Sequence, residues 1–224
     1  WPEYGVKIEK AGSYDLSAGD GAINHFENLR NGLVCRNADL RVSGARFEDI
    51  GSAEPLVGPF SDQGMGIQFD GGDERQLIVE NEGTNSVYGT EFANCRTAAI
   101  FSLRAANLEV REAAISDCPV GIDARRPYTT NLERNFIEKV DAAINYHTPP
   151  GFFPPLTRIR DNHLSVSERG IFLRTEKGTY FITDNFFCVS QKMKLDTFFF
   201  CMRDFFNRSE EHTSELLSLL TISY

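Results

Sequence analysis

The chain has no excess of positive charge. Its 23 Lys and Arg stand against 32 Asp and Glu, a formal charge of −9 over 224 residues, which argues against a nucleic-acid binder because such a protein needs a basic face. No apolar run comes near the ~20 residues of a membrane-spanning helix. No segment carries apolar residues at sustained helical spacing, so a helical fold is disfavoured. The five cysteines are odd in number and fall into no metal-ligand spacing. The four histidines are scattered; His25 and His163 occupy equivalent places in the pattern described below, but too many units apart to share an ion. No secretory signal opens the chain.

What the chain does have is a repeated phrase. An apolar anchor recurs at Phe26, Phe47, Phe92, Ile115, Ile137, Leu164 and Phe187, in steps of 21, 45, 23, 22, 27 and 23 residues. Five residues before most anchors stands another aliphatic: Val42, Val87, Val110, Leu132, Ile159 or Ile182. After most of them follows a small residue and an aliphatic: Gly32-Leu33, Ala99-Ile100, Gly121-Ile122, Ala143-Ile144 and Gly170-Ile171. A period near 22 marks a solenoid. Local alternation, as in Leu108-Glu109-Val110, sends every second side chain to one face and marks the units as short strands. Stacking the units sets residue i beneath residue i+22 at about 4.8 Å, each strand paired in parallel with its copies. Asn24, Asn135, Asn162 and Asn185, two places before an anchor, read as turn formers that take the left-handed conformation or hydrogen-bond locally at a corner.

The phrase from Asn135 to Ile144, echoed from Asn162-His163-Leu164 to Gly170-Ile171, resembles the right-handed parallel β-helix proteins of the pectate-lyase-like superfamily. The resemblance spans about residues 5 to 190. It implies an all-β fold, a single right-handed parallel β-helix of about six to seven rungs. Gly5-Val6 reads as the second half of a rung whose first half is missing, so the coil is expected to start in mid-turn. After Phe187 the repeat stops, and Arg208-Ser209-Glu210-Glu211-His212-Thr213-Ser214-Glu215-Leu216 resembles a translated sequencing adapter. The alternative for that string is a capping helix with Ser209 as N-cap. The expected organisation is therefore a β-helix over 1–190 and an artefactual tail over 191–224. Both ends of the coil are then uncapped, and the chain expressed alone is expected to self-associate through them.

Cys95 and Cys118 each follow an anchor by three residues and should be stacked core neighbours, as small apolar fillers. Strand spacing also permits a disulfide between them. The strand after each small-aliphatic step offers the most regular outward surface: Val34 and Arg36, Gln68 and Asp70, Phe101 and Leu103, Asp123 and Arg125, Asn145 and His147, Phe172 and Arg174. Its upper half gathers Asp123, Arg125, Asn145, His147 and Arg174, with Arg126 at the strand end. Segments 51–64 and 148–156 are expected to wall this face as loops, with Phe152 and Phe153 as stacking surfaces for sugar rings.

The resemblance implies carboxylates with bound calcium and an arginine or lysine base, or paired aspartates, acting on polysaccharides. Asp123, Arg125, Arg126 and His147 are the catalytic candidates; Asn145, Phe152, Phe153 and Arg174 are the carbohydrate-binding candidates. Yet the chain has no Asp-Asp pair on a strand and no Gly-His-Gly. Calcium, the one cofactor weighed, has Asp70 and Asp73 in the acidic Asp70–Glu74 turn as its only candidates, and a solvated turn is the preferred reading. The expectation is a non-catalytic section of an extracellular or cell-surface protein that serves as a rigid scaffold or glycan-binding surface, with polysaccharide as partner. The alternative is a fragment of a polysaccharide lyase or glycoside hydrolase.

Overall fold

Alternation of apolar and polar residues builds nineteen short strands and no helix among the residues that the computed structural model describes, which are 2–18, 22–51, 63–81, 89–149, 155–175 and 178–189. The strands follow one another around three walls. The first wall contains β1 (Tyr4–Ile8), β4 (Asn31–Arg36), β7 (Met65–Asp70), β10 (Ala98–Leu103) and β13 (Val120–Arg125). The second contains β2 (Ser13–Ser17), β5 (Asp39–Ser43), β8 (Gln76–Glu80), β11 (Asn107–Arg111), β14 (Thr129–Glu133), β16 (Leu156–Arg160) and β18 (Thr179–Thr183). The third contains β3 (Asn24–Glu27), β6 (Ala45–Glu48), β9 (Glu91–Ala93), β12 (Ala114–Ser116) and β19 (Phe186–Val189). Two longer strands, β15 (Phe136–His147) and β17 (His163–Arg174), run from the third wall onto the first and join them into one sheet. Each of these strands pairs in parallel with the one above and below. The result is a β-solenoid of about seven rungs, the number of strands in the second wall.

The repeat maps onto vertical columns. All seven anchors stand in one column, from Phe26 beneath Phe47 to Leu164 beneath Phe187. The rings of Phe26, Phe47 and Phe92 stack at 4.7 and 4.8 Å, nearly parallel. Leu33, Ile67, Ile100, Ile122, Ile144 and Ile171 form the column on the opposite wall. Phe47, Phe92, Ile67 and Ile100 are at most 1% exposed, and burying a side chain of this size contributes about 2 kcal/mol. One column departs from expectation. Val79, not Val87, stands between Val42 and Val110, because the extra residues of that rung follow β8 rather than precede it. Val87 lies outside the described residues, as do Phe152, Phe153 and the whole of 191–224.

The small residue before each aliphatic has a steric cause. A Cβ on Gly32 would lie 2.5 Å from the Phe47 ring and 2.5 Å from the Gly66 carbonyl oxygen of the rung above. At Gly66 it would meet the Phe92 ring at 2.6 Å and the Ala99 oxygen at 2.7 Å. Where the anchor is the slimmer Ile115 or Leu164, the corresponding small residue is Ala99 or Ala143. Gly121, which faces Ile137, is the exception: there a Cβ would be stopped by the Ala143 carbonyl oxygen at 2.6 Å.

Most corners among the described residues are turned by a residue in the left-handed region. Asn28, Asp49, Asn94, Asp117 and Lys139 turn one corner, Asn37, Arg104 and Arg126 another, and Glu112, Arg134, Asp161 and Asp184 the third, with φ between 53° and 57°. The N–H of the turning residue still reaches the next rung, as from Asp49 to the Ala93 carbonyl and from Arg126 to the His147 carbonyl. The asparagines at 24, 135, 162 and 185 do not take this conformation; the residue before Asn135, Asn162 and Asn185 does. Instead Asn24 donates to the Leu16 carbonyl at 3.0 Å, and the other three form a ladder. Asn135 Nδ2 donates to Asn162 Oδ1 at 2.9 Å, and Asn162 Nδ2 donates to Asn185 Oδ1 at 2.8 Å. Each also ties down main chain, Asn135 the Val110 carbonyl and Asn162 the Leu132 and Arg160 carbonyls. Asn135 and Asn162 are 1% exposed, so their amides substitute for water at the corner.

Cys95 and Cys118 are buried neighbours in adjacent rungs, and both are free thiols. The Cys95 N–H donates to Cys118 Sγ at 3.3 Å, and the Cys118 thiol donates to the Ser116 carbonyl at 3.1 Å. The hydrogen bond between the two thiols draws that of Cys118 down and pushes that of Cys95 up.

Asn162 stands at the centre of the ladder. Replacing it with Ala removes the acceptor of the Asn135 main-chain N–H, which donates to Asn162 Oδ1 at 2.9 Å, and takes a donor from each of the Leu132 and Arg160 carbonyls. The expected loss is about 3 kcal/mol, measured as a lower denaturation midpoint, and Asn185→Ala should cost less because that amide is only partly buried.

Candidate functional site

The outward residues of the first wall stand in two columns set by the strand register. One runs Val34, Gln68, Phe101, Asp123, Asn145 and Phe172; the other runs Arg36, Asp70, Leu103, Arg125, His147 and Arg174. The fold therefore brings together Asp123, Arg125, Asn145, His147 and Arg174 on three successive rungs. Val34 is the exception to outward exposure at 1%, set between Lys7 and Gln68. Arg126 is the corner residue after β13, with φ 57°, and belongs to neither column.

Within this face the charged groups answer one another. Arg125 Nη2 donates to Asp123 Oδ2 at 2.8 Å, and the Arg125 guanidinium lies 5.0 Å from the centre of the Phe101 ring. Arg169 lies 5.4 Å from the centre of the Phe172 ring. Both rings thus carry a guanidinium, a favourable pairing of cation and ring quadrupole. The Arg174 guanidinium makes no hydrogen bond or ion pair with any described residue. Asn145 Oδ1 is buried and receives no donor from them either.

His147 is partly buried, and that burial lowers its pKa below the ordinary 6.5. Arg174 and Arg125 push in the same direction, and only Asp123 opposes them. The imidazole is therefore neutral at pH 7 and able to accept or donate one hydrogen bond. Asp123 and Arg125, in contrast, are committed to each other.

The acidic turn at residues 70–74 has a different role from the one weighed as a calcium site. Arg104 Nη2 donates to both oxygens of Asp70, at 2.9 and 2.7 Å, and Nε donates to Oδ1 at 3.1 Å. Asp70 Oδ1 also accepts the Gly72 N–H at 3.2 Å. A fork of this kind uses the acceptor capacity a cation would need. Asp73 occupies the left-handed region with its Oδ1 buried and without a donor among the described residues. Those residues contain no group of three or more His, Cys, Asp or Glu able to hold a metal ion.

Several features escaped the linear pattern. A shallow depression of about 280 Å³ lies on the lower half of the face, beneath the Phe101–Arg125 pair. On the third wall, Phe136, His163 and Phe186 stack at 4.7 and 4.8 Å and are largely open to solvent. The anchor period fixes the position of these residues, but the pairings between Arg169 and Phe172 or Arg104 and Asp70 depend on side-chain reach. Comparison with known protein families, characterised proteins and solved structures finds no match.

A titration of His147 by NMR should give a midpoint below 6.5. Arg174→Ala removes a repelling cation and should raise it. Asp123→Asn removes the one group that raises it and should lower it further. The sign also sets acid stability: a depressed histidine means the unfolded chain takes up this proton first, so its contribution to stability is lost as pH falls through about 6.5.

Proposed function

We propose that this β-solenoid is a non-catalytic, glycan-binding scaffold from a secreted or cell-surface protein of the pectate-lyase-like β-helix kind. The observation that carries it is the Asp123–Arg125 ion pair at 2.8 Å, with Arg125 against the Phe101 ring. The two residues best suited to act as acid and base neutralise each other. What they leave is a flat face on a rigid sheet, with rings, guanidinium groups and an amide at fixed vertical intervals. Such a face suits the repeating units of a polysaccharide. Phe101 and Phe172 offer apolar edges to sugar rings, and the Arg174 guanidinium offers hydrogen-bond donors that no described residue occupies. The same chemistry fits display of a linear polymer better than turnover of it, since general acid–base catalysis needs an uncommitted group next to the scissile bond.

One observation favours a second reading, a polysaccharide lyase or glycoside hydrolase fragment. His147 is held neutral between Arg125 and Arg174, which is a suitable state for a base beside groups that would bind an acidic sugar.

A panel of acidic and neutral polysaccharides, with and without calcium, separates the two. The scaffold is expected to retain polymer on affinity electrophoresis, to release no product, and to bind more weakly as Arg174→Ala. Release of product that is abolished by His147→Ala or Arg125→Ala would replace the scaffold by the enzyme.

A further inference from the structure

The depression on the lower half of the first wall is separate from the Asp123–Arg174 cluster and has its own chemistry. Its floor is the main chain of β4 and β7 at Cys35 and Phe69, whose side chains are 0% exposed and turn into the core. Phe101 and Leu103 form its upper side, with Arg125 lying against the Phe101 ring at 5.0 Å. Gln68, Arg36 and Asp70 form the polar rim. At about 280 Å³ it lies at the small end of the range for ligand sites, which starts near 300 Å³. That is room for one ring rather than for an extended chain.

The charges around it cancel locally. Asp70 is held by the Arg104 fork, and Arg36 Nη1 lies 3.8 Å from Glu9 Oε1. An ionic ligand would find no unpaired counter-charge here and would have to break the Asp70–Arg104 fork to gain one. The Gln68 amide, by contrast, has no hydrogen-bond partner among the described residues, so a donor and an acceptor stand ready side by side. An aromatic ring, the Leu103 side chain beside it, an uncommitted amide and balanced charge match a ligand with one apolar face and several hydroxyl groups.

From this arrangement we infer that the depression is a subsite for a single uncharged pyranose unit of a neutral glycan, with Phe101 against the apolar face of the sugar and the Gln68 amide on its hydroxyls. The inference rests on the glycan-binding reading of the face and adds to it a second position of different selectivity. The upper cluster, with Arg174 unpaired and His147 beside it, suits polar or acidic units; the lower depression suits neutral ones. Binding at the lower position should therefore be insensitive to salt, because no ion pair forms.

The test uses calorimetric titration with neutral gluco-, manno- and galacto-oligosaccharides and with oligogalacturonate, on the parent chain and on Phe101→Leu, Gln68→Ala and Arg174→Ala. Phe101→Leu keeps apolar bulk but removes the ring. At least one neutral oligosaccharide is expected to bind, about tenfold more weakly with Phe101→Leu, also more weakly with Gln68→Ala, and unchanged with Arg174→Ala or added salt. Neutral binding unaffected by Phe101→Leu and Gln68→Ala would overturn the subsite while leaving the glycan-binding face standing. So would binding of oligogalacturonate alone, lost with Arg174→Ala. Absence of binding to every glycan by a parent chain whose circular dichroism is that of a β-sheet protein would overturn both.

Discussion

Vertical register is the constraint on which the rest of this structure depends. Parallel strands must keep each residue above its equivalent, since a slip of one position would turn every core side chain to solvent. Here the register is held from two directions. Side chains interlock inside the coil, where the stacked rings of Phe26, Phe47 and Phe92 fill the space left by the absent side chains of Gly5, Gly32 and Gly66. Amides lock it at the edge, where Asn135, Asn162 and Asn185 bond to each other and to main-chain carbonyls. The outward columns inherit their order from this inner one.

Much of the architecture was legible because a solenoid repeats its physics in its sequence. The anchors and the small-aliphatic steps fell into the columns that their spacing implied, and Cys95 met Cys118 as expected. The spacing failed where a rung changes length. Counting back from Phe92 led to Val87, while the strand had already passed through Val79. The asparagines were assigned to corners correctly, and of the two roles open to them there they hydrogen-bond rather than take the left-handed conformation. At this corner the positive φ falls on Arg134, Asp161 and Asp184, one place earlier in the chain, and the aspartates among them tolerate it well. The neighbouring Asn then has an extended backbone and a side chain free to bridge rungs.

The candidate face was legible as a set of positions and not as a set of states. Period and alternation placed Asp123, Arg125, Asn145, His147 and Arg174 on one wall. They carried no information on which of these would pair. The ion pair of Asp123 with Arg125 lies along one strand, while the guanidinium on Phe101 and the fork of Arg104 on Asp70 are diagonal contacts between rungs; all are set by rotamers and reach. On the second wall the same habit recurs: Glu133, only 6% exposed in its side chain, lies against Arg134 and Arg160. Burial would raise its pKa, and the two arginines together hold it below the usual carboxylate range. Charge in this molecule is largely spent internally, so the few polar atoms left over carry the most information about ligands.

Residues 81–90 separate β8 from β9, yet Phe92 still lands on Phe47 and Thr90 still bonds to the Glu80 carbonyl at 3.0 Å. The same holds between β6 and β7, where Gly64 resumes contact with the Arg30 carbonyl at 2.9 Å. Strand order is thus indifferent to how much chain is spliced in at a corner, because each turn is secured to its neighbours above and below rather than to its own connections. Inheritance can edit such excursions freely, exchanging what surrounds the flat walls while the frame that presents them keeps its dimensions.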